Sequence, residues 1–285
     1  MRPVELREVA PGSNAGMITM PQVLTSDTEN FADALLMLFD AGHVVVNWNL
    51  GCPTRNVAGR GRGCGLMPHP RRIDEILTYV LHKTPVKLSV KIRLGYHDPD
   101  EHLAVLEVLN QHPLTEVVLH ARTAGQTYLA APDIDRAEAA LALCRHPFIY
   151  NGDITDVSGF QSLRRRLPGA AGWMIGRGAL TWPFLATQLK MDNGIALPKD
   201  GCQGQLRPDD ARLLLREFHD LMFADYEHWL SGPRRLLDRM KAQWSYLVHC
   251  FVDSASIATR IGRCQDVPSY LQTVDWAFEH SLHST

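Results

Sequence analysis

The chain has 285 residues, of which 45% are hydrophobic and 21% are charged, and its formal net charge is −2. This composition excludes collagen-like and wholly disordered proteins, and it suits a large globular domain, alone or with a smaller one. The near-neutral charge gives no overall attraction to nucleic acid, so any RNA contact must come from a local basic patch.

The sequence indicates neither a membrane segment nor a metal site. No run approaches the ~18 apolar residues typical of a membrane-spanning helix. The opening MRPVELREVAPG carries charges where a signal peptide has an apolar core. We therefore expect a cytoplasmic protein. The six cysteines form no CxxC pair and no zinc-like spacing, which predicts free thiols and no bound metal.

From residue 20 to about 190, short β-rich runs alternate with amphipathic segments, the pattern of βα units around a parallel sheet. The predicted strands cover residues 20–24, 43–49, 86–93, 116–120, 147–152 and 172–176. Helices are predicted between them. The first should end at Gly42. Its apolar residues are assigned mainly to one side, and they are Phe31, Leu35, Leu36, Met37 and Phe39.

A Gly- and Pro-rich run at 192–207 precedes a wholly helical region. We therefore predict an α/β domain over residues 1–195 and a helical domain over 206–285. The first helix of the second domain opens at Arg207 and Pro208. Its apolar positions recur every three or four residues at Leu215, Phe218, Met222, Tyr226 and Trp229. The next helix has a core stripe of Leu237, Met240, Trp244 and Leu247.

Polar residues gather at the carboxyl ends of the predicted strands, where parallel α/β folds place their functional groups. In chain order they are Gln22; Asn47, Asn49 and Cys52; Lys91 and Arg93; His120, Arg122 and Thr123; Asn151, Gly152 and Asp153; and Gly176, Arg177 and Gly178. A single such residue is usually a satisfied core group or a cap. Six consecutive polar strand ends indicate a functional site.

Lys91 and Arg93 alternate with apolar residues, so both point to one face of a strand that is expected to be buried. A buried lysine is costly unless it is paired or binds an anion, so we expect either a ligand or a carboxylate partner for Lys91.

The segments NGD at 151–153 and GRG at 176–178 lie at the last two strand ends, where barrels often hold a phosphate. Their glycines let backbone N–H groups approach, Arg177 supplies charge, and a short helix from about Leu180 directs its N-terminus. Both segments also occur as turns, but their placement on successive strands favours a phosphate site.

Cys52 follows a strand and precedes Pro53, which would fix the turn and leave the thiol at the rim of the site. A buried inert thiol is the alternative. Five arginines follow before the next acidic residue, and they are Arg55, Arg60, Arg62, Arg71 and Arg72. Such a loop suits phosphodiester binding, and a solvated basic loop is an equally simple interpretation.

The core stripe of the second C-terminal helix has a basic face opposite to it, formed by Arg235, Arg239, Gln243 and Tyr246, with Arg234 and Lys241 to one side. A basic face with an aromatic residue suits RNA backbone contacts and base stacking, and a merely charged, exposed face is the alternative.

Five motifs, in order, resemble those of the tRNA-dihydrouridine synthases: NWNLGCPTR with its Gly-rich tail, SVKIRLG, VVLHART, YNGDI and MIGRGAL. RMKAQWSYL is similar to the RNA-binding tail of that family. The resemblance implies a TIM barrel that holds FMN, with NADPH as the reductant. It also implies hydride transfer from the flavin to C6 of a uracil flipped out of the tRNA D-loop.

The resemblance assigns roles to individual residues. Cys52 matches the cysteine that protonates C5, Asn49 the residue facing the uracil, and Tyr128 one that touches tRNA. The matching flavin-binding positions are Gln22, Lys91, His120, Asn151, Gly152, Asp153, Gly176 and Arg177. Arg239, Lys241 and Tyr246 fit the tail of the bacterial branch acting at tRNA position 16, whereas the tryptophan of that branch falls one place later here, as Trp244.

The N-terminus departs from the family, whose members open with a strand ending in a proline-methionine motif and then a second βα unit. Neither is recognisable here, so we expect an incomplete barrel of six strands with exposed edges and weak FMN binding. An incomplete gene product, a decayed paralogue and an assembly that covers the edges are the competing explanations. We expect a monomer that binds tRNA and reduces its uridine; a non-catalytic tRNA-binding remnant and a barrel enzyme of small metabolites are the alternatives.

Overall fold

The computed structural model describes residues 9–126, 130–194 and 207–283. The chain divides into two compact units, one formed by Met1–Asp153 with Ser162–Met174 and the other by Ile154–Gln161 with Ile175–Thr285. Most of the predicted boundary region, residues 195–206, lies outside the described residues, so the boundary between the two predicted domains stays a prediction.

The first unit contains a parallel sheet of six strands that lie side by side in chain order. They are β1 (Gln22–Val23), β2 (Val45–Leu50), β3 (Lys87–Gly95), β4 (Leu114–Thr123), β5 (Phe148–Asn151) and β6 (Gly172–Met174). Every predicted strand is therefore present, with ends displaced by a few residues. Within the described ranges, β1 and β6 are the edges of this sheet.

Helices follow the strands along the chain. They are α1 (Thr28–Asp40), α2 (Arg55–Ala58), α3 (Pro70–Lys83), α4 (Glu101–Leu109), α5 (Ile134–Leu143), α6 (Val157–Arg166), α7 (Arg177–Thr181) and α8 (Leu185–Asp192). The C-terminal helices are α9 (Pro208–Trp229), α10 (Pro233–Leu247), α11 (Ser254–Arg263) and α12 (Val267–Phe278). Short 3-10 turns cover Pro11–Asn14, Gly63–Leu66 and Val248–Cys250.

Capping residues define the ends of α1. The Asp27 carboxylate accepts a hydrogen bond from the backbone N–H of Asn30 at 2.8 Å, and Gly42 follows the helix with a φ of +99°. The predicted apolar side is partly wrong, since Leu36, Met37 and Phe39 are 40%, 37% and 39% exposed. The buried positions are Phe31, Ala32, Leu35 and Leu38. A continuous apolar run cannot place every member on one face of a helix with 3.6 residues per turn.

The central strands have one apolar and one polar face. On the apolar face, Val46, Trp48, Val90 and Ile92 are fully buried, and the Trp48 ring lies 5.4 Å from that of Phe31 in α1. The alternate residues form the polar face, which is described below. Consecutive βα units with parallel strands and an inward polar face are the TIM-type arrangement, followed here by a helical region, as predicted.

The core of the second unit surrounds Trp244, which is 1% exposed. The predicted stripe on α10 is confirmed, because Leu237, Met240, Trp244 and Leu247 are all buried. The predicted stripe on α9 is partly wrong, since Phe218 and Trp229 are 47% and 50% exposed. The side chains of α9 that are fully buried are Ala211, Leu215 and His219.

A buried hydrogen-bond chain joins three helices of this unit. The His219 Nδ1 lies 2.8 Å from a carboxylate oxygen of Asp220, and its Nε2 lies 2.6 Å from the Tyr270 hydroxyl. Trp244 donates its indole N–H to the same hydroxyl at 2.9 Å. Since a carboxylate only accepts, Nδ1 carries the proton and Nε2 accepts from Tyr270. Burial lowers the pKa of His219, which agrees with a neutral imidazole.

We expect Tyr270→Phe to lower the free energy of unfolding by about 1–3 kcal/mol, because it leaves two buried polar groups, on Trp244 and His219, without their partner. Urea denaturation measures this loss. Tyr79→Phe removes a surface hydroxyl bonded to Glu29 at 3.3 Å and should cost less than about 0.5 kcal/mol. Equal effects of the two substitutions would show that the buried chain contributes no stability.

Candidate active site

One register row of polar side chains crosses four strands of the sheet. Gln22 of β1 is paired with Asn47, Asn47 with Ser89, and Ser89 with Glu116 of β4. Because neighbouring strands bring paired residues together on one face, these side chains can bond to one another directly. The row thus crosses the polar face from the sheet edge to its centre.

Hydrogen bonds connect this row to the turn after β2. Asn49 donates to the Gln22 side-chain oxygen at 2.6 Å, and Gln22 donates to the Asn47 oxygen at 2.7 Å. Asn47 donates to Ser89 at 2.7 Å, and Ser89 donates to the Glu116 carboxylate at 3.0 Å. We call these five side chains the amide relay. Sequence reasoning found Gln22, Asn47 and Asn49 but missed Ser89 and Glu116.

The amide relay holds the backbone of the cysteine turn. The Asn49 side-chain oxygen accepts from the backbone N–H groups of Gly51 and Cys52, each at 2.9 Å. Cys52 is half-buried, and its sulfur lies 3.4 Å from the Thr54 hydroxyl. The predicted position of this thiol, after a strand and at the rim, agrees with the structure.

The Gly-rich tail after Cys52 packs back against that turn. The Cys64 N–H donates to the Cys52 carbonyl at 3.1 Å, and Gly63 has a φ of +54°. A side chain on Gly63 would lie 2.9 Å from the Cys52 carbonyl oxygen, and one on Gly65 only 2.1 Å from the Ala58 carbonyl oxygen. These glycines are therefore required by close backbone contacts.

Arg93 braces the same turn from β3. Its Nε donates to the Gly51 carbonyl and one Nη to the Thr123 carbonyl, both at 2.9 Å, and the side chain is 4% exposed. Arg93 therefore connects the ends of β2 and β4 while keeping its positive charge inside the site.

Lys91 lies on the polar face of β3. Among the described residues, no carboxylate lies within ion-pair distance of its ammonium group, although the side chain is half-buried. Burial, and secondarily the charge of Arg93, lowers the pKa of Lys91 to about 8. The carboxylate partner that the sequence leaves open as one alternative is therefore not found among the described residues, and a ligand for Lys91 stays a prediction.

Arg122 orders the opposite side of the strand ends. Its guanidinium binds both carboxylate oxygens of Asp153 and donates to the Ala130 carbonyl at 2.7 Å. It also lies 3.2 Å from Nε2 of His120. Because arginine can only donate, His120 accepts at Nε2 and carries its proton on Nδ1. Burial and the cations Arg93, Lys91 and Arg122 lower the pKa of His120 to about 3, so it is neutral.

The predicted segment Asn151 to Asp153 forms a tight turn at the end of β5. Asn151 donates to the Met174 carbonyl at 2.8 Å and so connects β5 to β6. Gly152 has no room for a side chain, because a Cβ would lie 2.7 Å from the Tyr150 hydroxyl oxygen. Asp153 has a φ of +39°, and its carboxylate is bound by Arg122. Asp153 therefore holds Arg122 in place.

The other predicted residues are Gly176, Arg177, Tyr128 and the arginines after Cys52. Gly176 and Arg177 belong to the second unit, where Gly176 is the N-cap of α7, so this helix begins at Arg177 rather than near Leu180. Tyr128 lies outside the described residues. Of the five arginines after Cys52, Arg72 is bound to Glu75 at 2.9 Å.

The predicted RNA-binding residues of α10 differ in their surroundings. Arg239 is exposed, with its guanidinium 5.4 Å from the ring centre of Tyr226, and Tyr246 is half-buried. Lys241 donates to the carbonyls of Gly262 and Cys264 at the end of α11. A lysine at a helix C-terminus stabilises that helix, so Lys241 has a structural role that its sequence position did not reveal.

Comparison with known proteins identifies the family. The family model described as dihydrouridine synthase (Dus) matches residues 4–212. The chain belongs to the dihydrouridine synthase family. It is 32% identical over 178 residues to a probable tRNA-dihydrouridine synthase of Rhodobacter capsulatus, which covers 61% of this chain and 54% of that protein. It is 28% identical over 268 residues to a tRNA-dihydrouridine(16) synthase of Cupriavidus necator, which covers 92% of this chain and 79% of that protein.

A third dihydrouridine synthase relative is tRNA-dihydrouridine synthase B of Escherichia coli K12, 30% identical over 186 residues. This match covers 62% of the chain and 56% of that protein. The matched region thus spans about half of the Rhodobacter and Escherichia relatives. In the described ranges, no group of three or more His, Cys, Asp or Glu residues could hold a metal ion, and no helix is long and apolar enough to cross a membrane.

We expect Gly65→Ala to destabilise the protein by about 2 kcal/mol or more, because the added methyl overlaps a backbone oxygen that cannot retreat freely. Thermal unfolding measures the loss. Gly125→Ala is the matched control, since a Cβ there meets nothing within 4 Å, and it should change stability by less than about 0.5 kcal/mol. A harmless Gly65→Ala would contradict the packing of the Gly-rich tail.

Proposed function

We propose that the chain reduces a uridine of the tRNA D-loop to 5,6-dihydrouridine, with FMN as cofactor and NADPH as reductant. The observation that carries this proposal is Lys91, a half-buried lysine without a carboxylate partner in the described part of the chain. A buried cation of this kind is stabilised when an anionic or electron-rich ligand binds beside it.

The donor set of the first unit fits a flavin ring. Lys91 supplies a positive charge, Gln22 an amide N–H, and neutral His120 a ring N–H, while Asp153 is occupied by Arg122. Gly176 and Arg177 stay predicted contacts of the phosphate. When bound, FMN supplies the hydride for C6 of the uracil, and NADPH supplies the reducing equivalents.

Cys52 is proposed to donate the proton to C5 of the uracil. Its thiol is half-buried beside Thr54, and its backbone is held by Asn49, the proposed neighbour of the base. A general acid must be protonated and correctly placed, and the turn fixes the position while the thiol provides the proton.

The tRNA backbone is proposed to contact exposed arginines of both units. Arg55, Arg60, Arg62 and Arg71 are exposed after Cys52, and Arg239 is exposed on α10 with an adjacent aromatic ring. Such side chains suit phosphates and unstacked bases. Lys241 is a weaker candidate for this contact because it binds the end of α11.

Removing the thiol should separate flavin reduction from uridine reduction. We expect Cys52→Ala to slow dihydrouridine formation about 100-fold or more, since a positioned general acid contributes this much, while NADPH still reduces the flavin at the wild-type rate. Flavin absorbance follows the first reaction, and dihydrouridine in an unmodified tRNA transcript follows the second.

Cys144→Ala, which removes another half-buried thiol, should leave both reactions unchanged. Full uridine reduction by Cys52→Ala would refute the proton-donor role. A wild-type chain that binds tRNA in a salt-dependent way, yet shows neither flavin absorbance nor dihydrouridine, would instead be a tRNA-binding remnant.

The affinity for FMN should fall as pH rises through the pKa of Lys91, which is about 8 in the flavin-free protein. Above this pH the ammonium loses its proton and no longer attracts an anion, so the dissociation constant should increase by up to about tenfold per pH unit. Flavin fluorescence titrations between pH 7 and 9.5 measure the change.

Lys91→Met should bind FMN weakly at pH 7 and lose this pH dependence. Lys87→Met, on the exposed start of the same strand, should behave like the wild type. An identical pH profile in Lys91→Met and in the wild type would assign the titration to another group.

A further inference from the structure

The amide relay has a direction that is fixed independently at both ends. At one end, the backbone N–H groups of Gly51 and Cys52 can only donate, so the Asn49 group facing them must be its oxygen. At the other end, the Glu116 carboxylate accepts, so Ser89 must donate to it. The donors and acceptors at the two ends therefore fix which atom of each amide is the oxygen and which is the nitrogen.

Between these ends every member has one orientation. Ser89 gives its proton to Glu116 and so accepts from Asn47, whose oxygen in turn accepts from Gln22. The Gln22 oxygen then accepts from Asn49. Reversing one amide would place two oxygens or two N–H groups against each other.

The direction determines what the amides can offer to a ligand. A primary amide has two N–H bonds, and the relay uses one of each pair on Gln22 and Asn49. Their oxygens are already acceptors within the relay. What each amide retains for another molecule is a second N–H.

We propose that Glu116 and Ser89 are positioning residues that anchor the far end of the relay and so hold the N–H donors of Gln22 and Asn49 in place at the ends of β1 and β2, where they recognise ring carbonyl oxygens. This inference rests on the proposed function for the identity of the ligand. The uracil ring and the pyrimidine part of FMN both carry such carbonyls. Ser89 is fully buried and Glu116 half-buried, three strands away from β1, so Glu116 acts through the relay.

A set of variants at position 116 distinguishes an acceptor from a mere charge. Glu116→Leu removes the acceptor, whereas Glu116→Gln keeps an acceptor oxygen without the charge. Glu107→Leu makes the same change as the first variant on an exposed position of α4 and serves as the control. Ser89→Ala breaks the relay one residue further along and replaces Glu116→Leu if that variant does not fold.

The first readout is hydrogen exchange of the side-chain amides of Gln22, Asn47 and Asn49 by NMR in the flavin-free protein. We expect exchange at least about tenfold faster in Glu116→Leu, from the loss of a hydrogen-bonded anchor, and near wild-type rates in Glu116→Gln and Glu107→Leu. Unchanged exchange in Glu116→Leu would overturn the proposal. Equally fast exchange in Glu116→Gln and Glu116→Leu would also overturn it, because the negative charge of Glu116, and not its acceptor oxygen, would then protect the amides.

The second readout is FMN affinity, which should fall about tenfold in Glu116→Leu and stay near the wild-type value in Glu116→Gln. A wild-type chain that binds no FMN would refute the proposed function, while the exchange rates would still decide whether Glu116 orients the amides. If Glu116→Leu makes the side-chain amides exchange faster but does not weaken the binding of FMN or uridine, the recognition of ring carbonyls is refuted.

Discussion

The polar face of the sheet imposes one constraint on the first unit, because its side chains lie on strands whose other face is fully apolar. Buried donors and acceptors there need hydrogen-bond partners, and the strand spacing limits cross-strand partners to residues that the register brings close together. The amide relay satisfies this requirement from Glu116 to Asn49 and ends on the backbone of the cysteine turn. The position of Cys52 thus depends on strand register as well as on its own loop.

The charged groups of this face also differ in how they are paired. Lys91, Arg93 and Arg122 bring three cations to the strand ends, and His120 stays neutral because burial, together with these cations, lowers its pKa. Asp153 offsets Arg122, while Arg93 is held by two carbonyls. The positive charge of Lys91 can be neutralised by a ligand, and this links the packing of the sheet to the proposed chemistry.

The sequence predicts the strands well because buried parallel strands leave short β-rich runs between turn residues. It also singles out Cys52, Lys91 and His120 as candidates, because each is an uncommon residue at a strand end. Ser89 and Glu116 escape notice, since their partners are 42 and 27 positions away in the chain and only the register brings them together. Helices are harder to predict, because the neighbouring elements decide which side of a helix is buried. Phe218 is expected in the core but is exposed, and Lys241 is expected to bind RNA but contacts the end of α11.

The glycines after Cys52 show how a family motif can have a structural cause. Gly63 lies against the Cys52 carbonyl and Gly65 against the Ala58 carbonyl, so the Gly-rich tail has a structural role in packing against the cysteine turn. Arg60 and Arg62, which alternate with Gly59, Gly61 and Gly63, are exposed. The same stretch therefore has two roles. Its glycines pack against the Cys52 carbonyl while Asn49 binds the Cys52 N–H, and its exposed arginines are accessible to a polyanion.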